Sequence, residues 1–166
     1  MLKIIDNVLP KNALEFLHTF LINEPVWKLN MSSLRGAHKI PGRILWDANQ
    51  NINSQTSSQA LAAFVYHFIK AKAKFLPDNI LRIQLAAKAP LQDDILHKDS
   101  NEDNAITVLY YLNPEWKKEW GGETIVGDKT IEYKPNRALI YNSSIIHGGK
   151  APKIPIFRTY INYVVK

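Results

Sequence analysis

The spacing of apolar residues divides the chain into a helical first half and a strand-rich second half. Apolar positions recur every three or four residues behind Pro10 and again behind Thr56, which is typical of amphipathic helices. The second helix is predicted to begin near Thr56 or Ser57, as N-cap, and to end near Phe75. The apolar positions of the first helix are Ala13, Leu14, Leu17, Phe20 and Leu21, and those of the second are Leu61, Phe64, Val65 and Phe68.

The segment between the two helices reads as a loop. Residues 31–56 contain several turn-forming residues and end in a nearly all-polar run. Arg43, Trp46 and Asp47 are candidates for a substrate-covering lid, because catalytic lids are often long loops above a rigid scaffold. A plain surface loop is the alternative. His18 and His67 lie in the helical patterns and are predicted to be structural. His38 lies in the loop and is predicted to be solvent-exposed.

From Asn79 onward, short runs of β-branched and aromatic residues alternate with turn signals. This pattern predicts seven or eight strands and an α+β fold, a jelly roll with two helices packed on one side. We expect a single domain over residues 1–166, with helical support and a loop in 1–78 and the jelly-roll core in 79–166. The runs are 80–85, 105–112, 123–126, 130–133, 138–141, 144–147 and 158–165.

The amino-acid composition limits the possible metal ligands more than it limits the possible folds. The chain has 46% hydrophobic residues, enough for an ordinary core, and no cysteine, which excludes thiolate metal sites. A metal ion must therefore be held by His, Asp or Glu. No apolar run is long enough to cross a bilayer and no secretory signal is evident, so a cytoplasmic location is expected. The net charge of +6 is dispersed, which does not favour a nucleic-acid partner.

Three residues in the second half have the chemistry of metal ligands. His97 and Asp99 are two positions apart, so on a strand both side chains point to one face while Lys98 points away. His147, at the predicted end of a later strand, is a candidate third ligand. Two histidines and one carboxylate on one face of an iron ion leave coordination positions open, as in the facial triad of non-haem Fe(II) oxygenases.

The second half also resembles a known family in the order and spacing of its motifs. From about Arg82 to the C-terminus, the chain is similar to the Fe(II)- and 2-oxoglutarate-dependent dioxygenases, especially the prolyl 4-hydroxylase-like branch. Two departures from that branch are a missing tyrosine in strand 82–88 and the Asp93-Asp94 segment before the first histidine. The residues that carry the resemblance are His97-Lys98-Asp99, Thr107 to Asn113, Trp116, Trp120 to Thr124, Pro135 to Leu139, His147 and Arg158.

The resemblance implies a double-stranded β-helix with an iron site at one mouth. In it, His97, Asp99 and His147 would ligate Fe(II), and all three would be catalytic together with Arg158, which would pair with the distal carboxylate of 2-oxoglutarate. Tyr111 lies where this branch often donates a phenol hydroxyl to the same carboxylate, and Thr107 shares its strand face as a further co-substrate candidate. The implied cofactors are Fe(II), 2-oxoglutarate and O₂, with ascorbate as a candidate accessory reductant.

The implied reaction is hydroxylation of an unactivated C–H bond with release of succinate and CO₂. A prolyl residue in a peptide or protein is the favoured substrate, and a free amino acid, another small molecule or an alkylated nucleic acid are alternatives. The alkylation-repair branch carries a second arginine shortly after the first, where this chain has Val164. A non-catalytic jelly-roll binding module is the remaining alternative, although the HxH ligand pair of cupins is not present. Neither a membrane nor a nucleic-acid partner is expected.

Overall fold

The computed structural model describes residues 1–23, 27–31 and 40–166, and the predicted position of His38 lies outside these ranges. Within them the chain forms two α-helices, a short 3-10 helix and eleven β-strands. The elements are β1 (Leu2–Ile5), α1 (Lys11–Asn23), β2 (Lys28–Met31), β3 (Ile40–Asp47), β4 (Ile52–Asn53), α2 (Ser57–Lys72), β5 (Ile80–Lys88), β6 (Ile106–Tyr111), the 3-10 helix (Lys118–Trp120), β7 (Thr124–Val126), β8 (Lys129–Ile131), β9 (Ala138–Asn142), β10 (His147–Gly149) and β11 (Arg158–Val165).

The strands form two antiparallel sheets. The large sheet has the order β1-β9-β6-β11-β5-β3-β2, with β4 paired to β3, and the small sheet has the order β10-β7-β8. Strand β11 lies in the middle of the large sheet, where it pairs with β5 on one side and β6 on the other. The predicted α+β jelly roll with two helices is confirmed.

Helix α2 begins where local chemistry predicts. The Thr56 side chain accepts a hydrogen bond from the Gln59 N–H and so caps α2, as predicted. Lys70 and Lys72 lie in its last turn, where positive charge complements the helix dipole. No helix in the described ranges is both long enough and apolar enough to cross a membrane.

The main apolar core lies between the helices and one face of the large sheet. Because successive strand residues point to opposite faces, every second residue of β5, β6 and β11 enters this core. The helices contribute one stripe each. The sheet residues include Ile83, Leu85, Val108, Tyr110, Ile161, Tyr163 and Val165, and the helix residues include Leu14, Leu17, Leu21, Val65, Tyr66 and Ile69.

The stripe predicted for α2 was partly wrong. Phe64 is 59% exposed and packs edge-on against Phe68 at the margin of the helix instead of entering the core. The buried stripe runs through Ala62, Val65, Tyr66 and Ile69, one position away from the expected face. The helix also ends at Lys72, before the predicted Phe75.

The prediction of a loop over residues 31–56 was wrong for residues 40–47 and 52–53, which form strands. Residues 40–47 form β3, which pairs with β5. Trp46 donates its indole N–H to the Ile80 carbonyl, and the Asp47 carboxylate accepts the backbone N–H groups of Asn49 and Gln50. Arg43, Trp46 and Asp47 therefore lie in a strand of the large sheet, so these three residues form neither the lid nor the plain surface loop considered for them.

The description of residues 1–78 as helical support and loop also needs correction. Strand β1 pairs with β9 along the edge of the large sheet, and the chain after it is fastened by Asn136. This asparagine has a φ of 62° and exchanges hydrogen bonds with the Leu9 backbone through both side-chain atoms. These pairings join residues far apart in the sequence, and local patterns carry no information about them.

Candidate active site

A pocket opens on the second face of the large sheet, opposite the helices. Alternate residues of β5 and β11 line one wall, since Arg82 and Gln84 face the pocket between the core residues of β5. A second apolar cluster, which includes Tyr111, Tyr133, Tyr141 and Tyr160, supports this face against the small sheet. The lining residues are Arg82, Gln84, Asp94, His97, Asp99, Leu109, Thr124, Tyr141, His147, Gly149, Arg158, Tyr160 and Asn162.

The two histidines of the predicted iron site are joined through their backbones. His97 and His147 form an isolated antiparallel bridge, in which each N–H donates to the other's carbonyl at 2.9 Å. His97 is therefore not in a continuous strand, and residues 144–146, predicted as part of a strand over 144–147, belong to a turn before β10. The His–x–Asp pair nevertheless points to one place, because the Asp99 N–H is held by the Ser143 carbonyl at 3.0 Å.

The hydrogen bonds of the imidazole rings select one tautomer for both histidines. Nδ1 of His97 lies 2.9 Å from the Ile95 carbonyl, and Nδ1 of His147 lies 2.9 Å from the Ile145 carbonyl. A carbonyl oxygen only accepts, so each Nδ1 carries the proton. Each Nε2 then offers a lone pair to a metal ion, as in most histidine metal sites.

The Asp99 carboxylate is oriented by several donors. Arg82 Nη2 donates to Oδ1 at 2.6 Å, and the Thr107 hydroxyl donates to Oδ2 at 2.9 Å. Asn162 donates from Nδ2 to both carboxylate oxygens at 3.2 Å. These contacts fix the ligand before any metal binds, which reduces the cost of organising the site.

Electrostatics at this centre favour an ionised carboxylate. Burial by itself raises the pKa of Asp99, but the hydrogen bond from His147 and the charge of Arg82 hold that pKa well below its ordinary value. Burial lowers the pKa of His147, yet its hydrogen bond to Asp99 and the charge of that carboxylate outweigh burial and raise it. The pair therefore attracts positive charge to the space between its members.

The donor set fits a divalent transition metal. One ligand atom from each of His97, Asp99 and His147 lies within 4.8 Å of the others. Nε2 of His147 is 3.2 Å from Oδ2 of Asp99, so two lone pairs face each other unless a proton or a cation lies between them. Two imidazoles and one carboxylate suit iron, and the three protein ligands leave further coordination positions for other molecules.

Arg158 lies in the same pocket. Its side chain is buried, its Nε donates to the Gly122 carbonyl at 2.8 Å, and its Nη2 donates to the Thr124 hydroxyl at 2.7 Å. The glycine is required, because a side chain at Gly122 would meet Trp116 at 2.8 Å and Arg158 at 3.2 Å, at a φ of +78°. Among the described residues, no carboxylate forms a salt bridge with Arg158, so its charge is available to an anionic ligand.

Tyr111 lies behind Thr124. The Tyr111 hydroxyl is 2.6 Å from the Thr124 hydroxyl, and its ring stacks on Tyr133 at 4.2 Å. Burial raises the pKa of Tyr111, so the phenol stays protonated and able to donate. Three tyrosine rings also lie 5.0–5.3 Å from the Arg158 guanidinium carbon and form an aromatic wall around this cation: Tyr111, Tyr133 and Tyr160.

Thr107 does not lie where the resemblance suggested. Its hydroxyl contacts the Asp99 carboxylate and the Ser143 hydroxyl, both at 2.9 Å, and its side chain is fully buried. Contact with a co-substrate carboxylate is not supported by this arrangement. Thr107 instead orients a metal-ligand candidate.

Sequence reasoning missed four polar residues around the pocket. Arg82 and Asn162 hold Asp99, while the fully buried ammonium of Lys88 pairs with Asp94 next to Arg158. Burial lowers the pKa of Lys88, and Asp94 opposes this effect. The signal for three of them was the strand pattern itself, because Arg82, Lys88 and Asn162 occupy alternate positions of otherwise apolar strands.

Together, the two facing sheets and the His–Asp–His cluster define the class of non-haem iron oxygenases with a double-stranded β-helix. Residues 84–164 match the family model of the 2OG-Fe(II) oxygenase superfamily. This matched segment, which contains the His–Asp–His cluster and Arg158, places residues 84–164 in this superfamily.

Solved structures of similar fold come from enzymes of different activity. A prolyl hydroxylase from Trichoplax adhaerens, in complex with a hypoxia inducible factor peptide fragment, has 18% identity and a TM-score of 0.71 over 99% of this chain and 82% of that chain. A prolyl-4-hydroxylase from Pseudomonas putida has 15% identity and a TM-score of 0.67 over 99% and 91%. A non-haem alpha ketoglutarate dependent epimerase from nogalamycin biosynthesis has 15% identity and a TM-score of 0.71 over 99% and 77%. Comparison with curated proteins finds no match.

Proposed function

We propose that this protein is an Fe(II)- and 2-oxoglutarate-dependent oxygenase that hydroxylates a prolyl residue in a peptide or protein. One observation carries the proposal: a cluster of two histidines and one carboxylate shares a pocket with a buried arginine that has no carboxylate partner among the described residues. The likeness to two prolyl hydroxylase structures supports the prolyl substrate.

In this proposal, His97, Asp99 and His147 hold the iron. The bound Fe(II) supplies open positions for 2-oxoglutarate and O₂ and the oxidising power for attack on a C–H bond. Arg82, Thr107 and Asn162 keep the carboxylate ligand in place through the hydrogen bonds described above. The backbone carbonyls of Ile95 and Ile145 keep both imidazoles in the ligating tautomer.

Arg158 anchors the distal carboxylate of 2-oxoglutarate. Its Nε and one Nη2 proton are already engaged, so the two Nη1 protons and the remaining Nη2 proton can form a forked pair with a carboxylate. The Thr124 hydroxyl accepts a hydrogen bond from the guanidinium, and the Tyr111 hydroxyl contacts Thr124, so both residues hold Arg158 in place. The charges also balance, because a dication, one carboxylate ligand, a dicarboxylate and one guanidinium sum to zero, which a buried site favours.

The surrounding aromatic side chains exclude water from this end of the pocket. Tyr133, Tyr141 and Tyr160 are buried and pack next to the histidine and arginine groups. A water-poor site strengthens the pairing between Arg158 and its ligand and protects the reaction from side reactions.

The test has two stages. In the first, anaerobic titration of the Fe(II)-loaded protein with 2-oxoglutarate is expected to give a visible metal-to-ligand charge-transfer band. In the second, proline-containing peptides are expected to stimulate succinate release and to gain one oxygen atom by mass spectrometry. Matched peptides with alanine in place of proline should do neither. Free L-proline and a methylated oligonucleotide are included as alternative substrates.

Two control variants distinguish the loss of a candidate metal ligand from the loss of a surface charge. His147→Ala should abolish the charge-transfer band and succinate release. Lys98→Ala removes an exposed charge between two ligand candidates and should leave both unchanged. If wild type gives neither band nor succinate, the oxygenase proposal fails. If succinate release responds to another substrate class and never to prolyl peptides, only the prolyl part fails.

A further inference from the structure

Arg158 shares its end of the pocket with a buried ion pair. Lys88 is the direct partner of Arg158 in the β5–β11 register, so both side chains point to the same face of the sheet. The Lys88 side chain is fully buried, and its ammonium contacts the Asp94 carboxylate. Asp94 itself lines the pocket next to Arg158. An anion-binding end of a pocket thus contains a carboxylate of its own.

The glycine at position 149 shows how close these groups are. A methyl group built on Gly149 would lie 3.1 Å from Nη1 of Arg158 and 3.1 Å from Oδ2 of Asp94. It would also lie 3.2 Å from Cε of Lys88. The guanidinium and the carboxylate therefore border the same small space, although they form no salt bridge in this part of the described chain.

Asp94 is held in this position by the backbone. The Gly149 N–H donates to Oδ2 of Asp94 at 2.7 Å, and the Asp94 N–H donates to the Gly149 carbonyl at 2.9 Å. These two contacts tie the segment before His97 to the strand that begins with His147. If this carboxylate left the pocket, it would lose its hydrogen bond with the Gly149 N–H, two residues after His147.

A free carboxylate here would work against the arginine. It would repel an incoming carboxylate, and it could pair with Arg158 and occupy the protons that a ligand needs. Both effects would be strong in a buried pocket, where charges are poorly screened.

We propose that Lys88 is a positioning residue that neutralises Asp94 and thereby keeps Arg158 available for the co-substrate carboxylate. This inference rests on the proposed function, since it takes Arg158 as the anchor for 2-oxoglutarate. Asp94 organises the chain near the metal centre, and Lys88 makes that carboxylate compatible with an anion site.

The experiment compares charge removal from each partner and from both. The variants are Lys88→Met, Asp94→Asn and the double variant, and Lys150→Met is the control for loss of an exposed positive charge nearby. The binding of 2-oxoglutarate to the Mn(II)-loaded proteins is measured by calorimetry, which requires no turnover. Mn(II) affinity, measured first, reports whether the metal centre is intact.

The three variants should differ in a defined way. Lys88→Met should weaken 2-oxoglutarate binding by about tenfold or more, because an unpaired Asp94 competes for Arg158. Asp94→Asn should bind 2-oxoglutarate as tightly as wild type or more tightly. The double variant should recover to within roughly threefold of wild type, since no uncompensated carboxylate remains. Lys150→Met should bind like wild type.

Other results would overturn the inference. Unchanged binding in Lys88→Met would do so, as would a double variant that binds Mn(II) normally but recovers no 2-oxoglutarate affinity. If Lys88→Met does not fold, weakened binding in Asp94→Asn or in the double variant overturns it, and retained binding in both supports it. A wild-type protein that binds no 2-oxoglutarate would instead refute the proposed function itself.

Discussion

The two faces of the large sheet are built from the same strands but carry different chemistry. On β11, Ile161 and Tyr163 point to the helices and enter the apolar core, whereas Tyr160 and Asn162 point to the pocket. On β5, Leu85 and Gln84 divide in the same way. Alternation along a strand therefore separates residues that stabilise the fold from residues that bind ligands, with no change in the backbone.

The largest expected effect on stability comes from the core face. Ile161→Ala removes a fully buried side chain between the sheet and the helices. We expect the free energy of unfolding to fall by about 2–5 kcal/mol, because a cavity remains where the side chain was. Chemical denaturation measures the change. Mn(II) binding to the folded fraction should remain at the wild-type value, and a large loss of metal affinity would show that the faces are not independent.

The next effect is on the pocket face of the same strand. Arg158→Ala should raise the 2-oxoglutarate concentration needed for half-maximal binding by roughly 100-fold, which corresponds to losing a charge-assisted pair worth about 3 kcal/mol. Arg158→Lys keeps the charge without the fork and should lose less. Calorimetry on the Mn(II)-loaded protein gives both values. An unchanged affinity in Arg158→Ala would move the anchor to another residue.

A smaller effect is expected at the carboxylate ligand. Asn162→Ala removes the amide that donates to both oxygens of Asp99. We expect about a tenfold loss of Mn(II) affinity, which is typical for groups that orient a metal ligand. Thermal unfolding of the metal-free protein should change little. If the thermal stability falls as much as in Ile161→Ala while Mn(II) affinity is retained, then Asn162 stabilises the fold and does not orient the metal ligand.

The smallest expected effect concerns the ion pairs of Asp6, which lie outside both faces of the large sheet and serve as a reference for the larger effects. Arg137 and Lys134 donate to the Asp6 carboxylate and hold its pKa at about 2, below its ordinary value. This pair stabilises the protein above about pH 4, and the contribution is lost as the pH falls toward 2. Asp6→Asn should cost about 1 kcal/mol at neutral pH. Unfolding measured across this range should show the difference from wild type shrinking as acid is added.

Local patterns in the sequence predicted most of the strands that carry the pocket and the three candidate metal ligands, but not the polar residues that surround them. His97, Asp99 and His147 meet as expected, although His147 begins β10 instead of ending a strand and His97 lies in an isolated bridge instead of a continuous strand. Strand β3 was missed because Pro41 and Gly42 suggested a break, while its pairing with β5 is a long-range interaction.

The pairing of Lys88 with Asp94 could not be predicted either. The alternation of β5 places Lys88 on the pocket face, but Asp94 follows in an irregular segment whose position depends on hydrogen bonds to Gly149. The contacts of Thr107 with Asp99 depend in the same way on how β6 faces the chain before it. Such contacts arise from tertiary structure and leave no periodic signal.

The mutual backbone hydrogen bonds between His97 and His147 have a consequence for unfolding. A cation bound by both imidazoles would act as a crosslink that closes the long stretch of chain between them, including β6, β7, β8 and β9. Closing a loop removes conformational entropy from the unfolded ensemble. Metal loading should therefore slow amide hydrogen exchange throughout the small sheet, even at positions far from the ion.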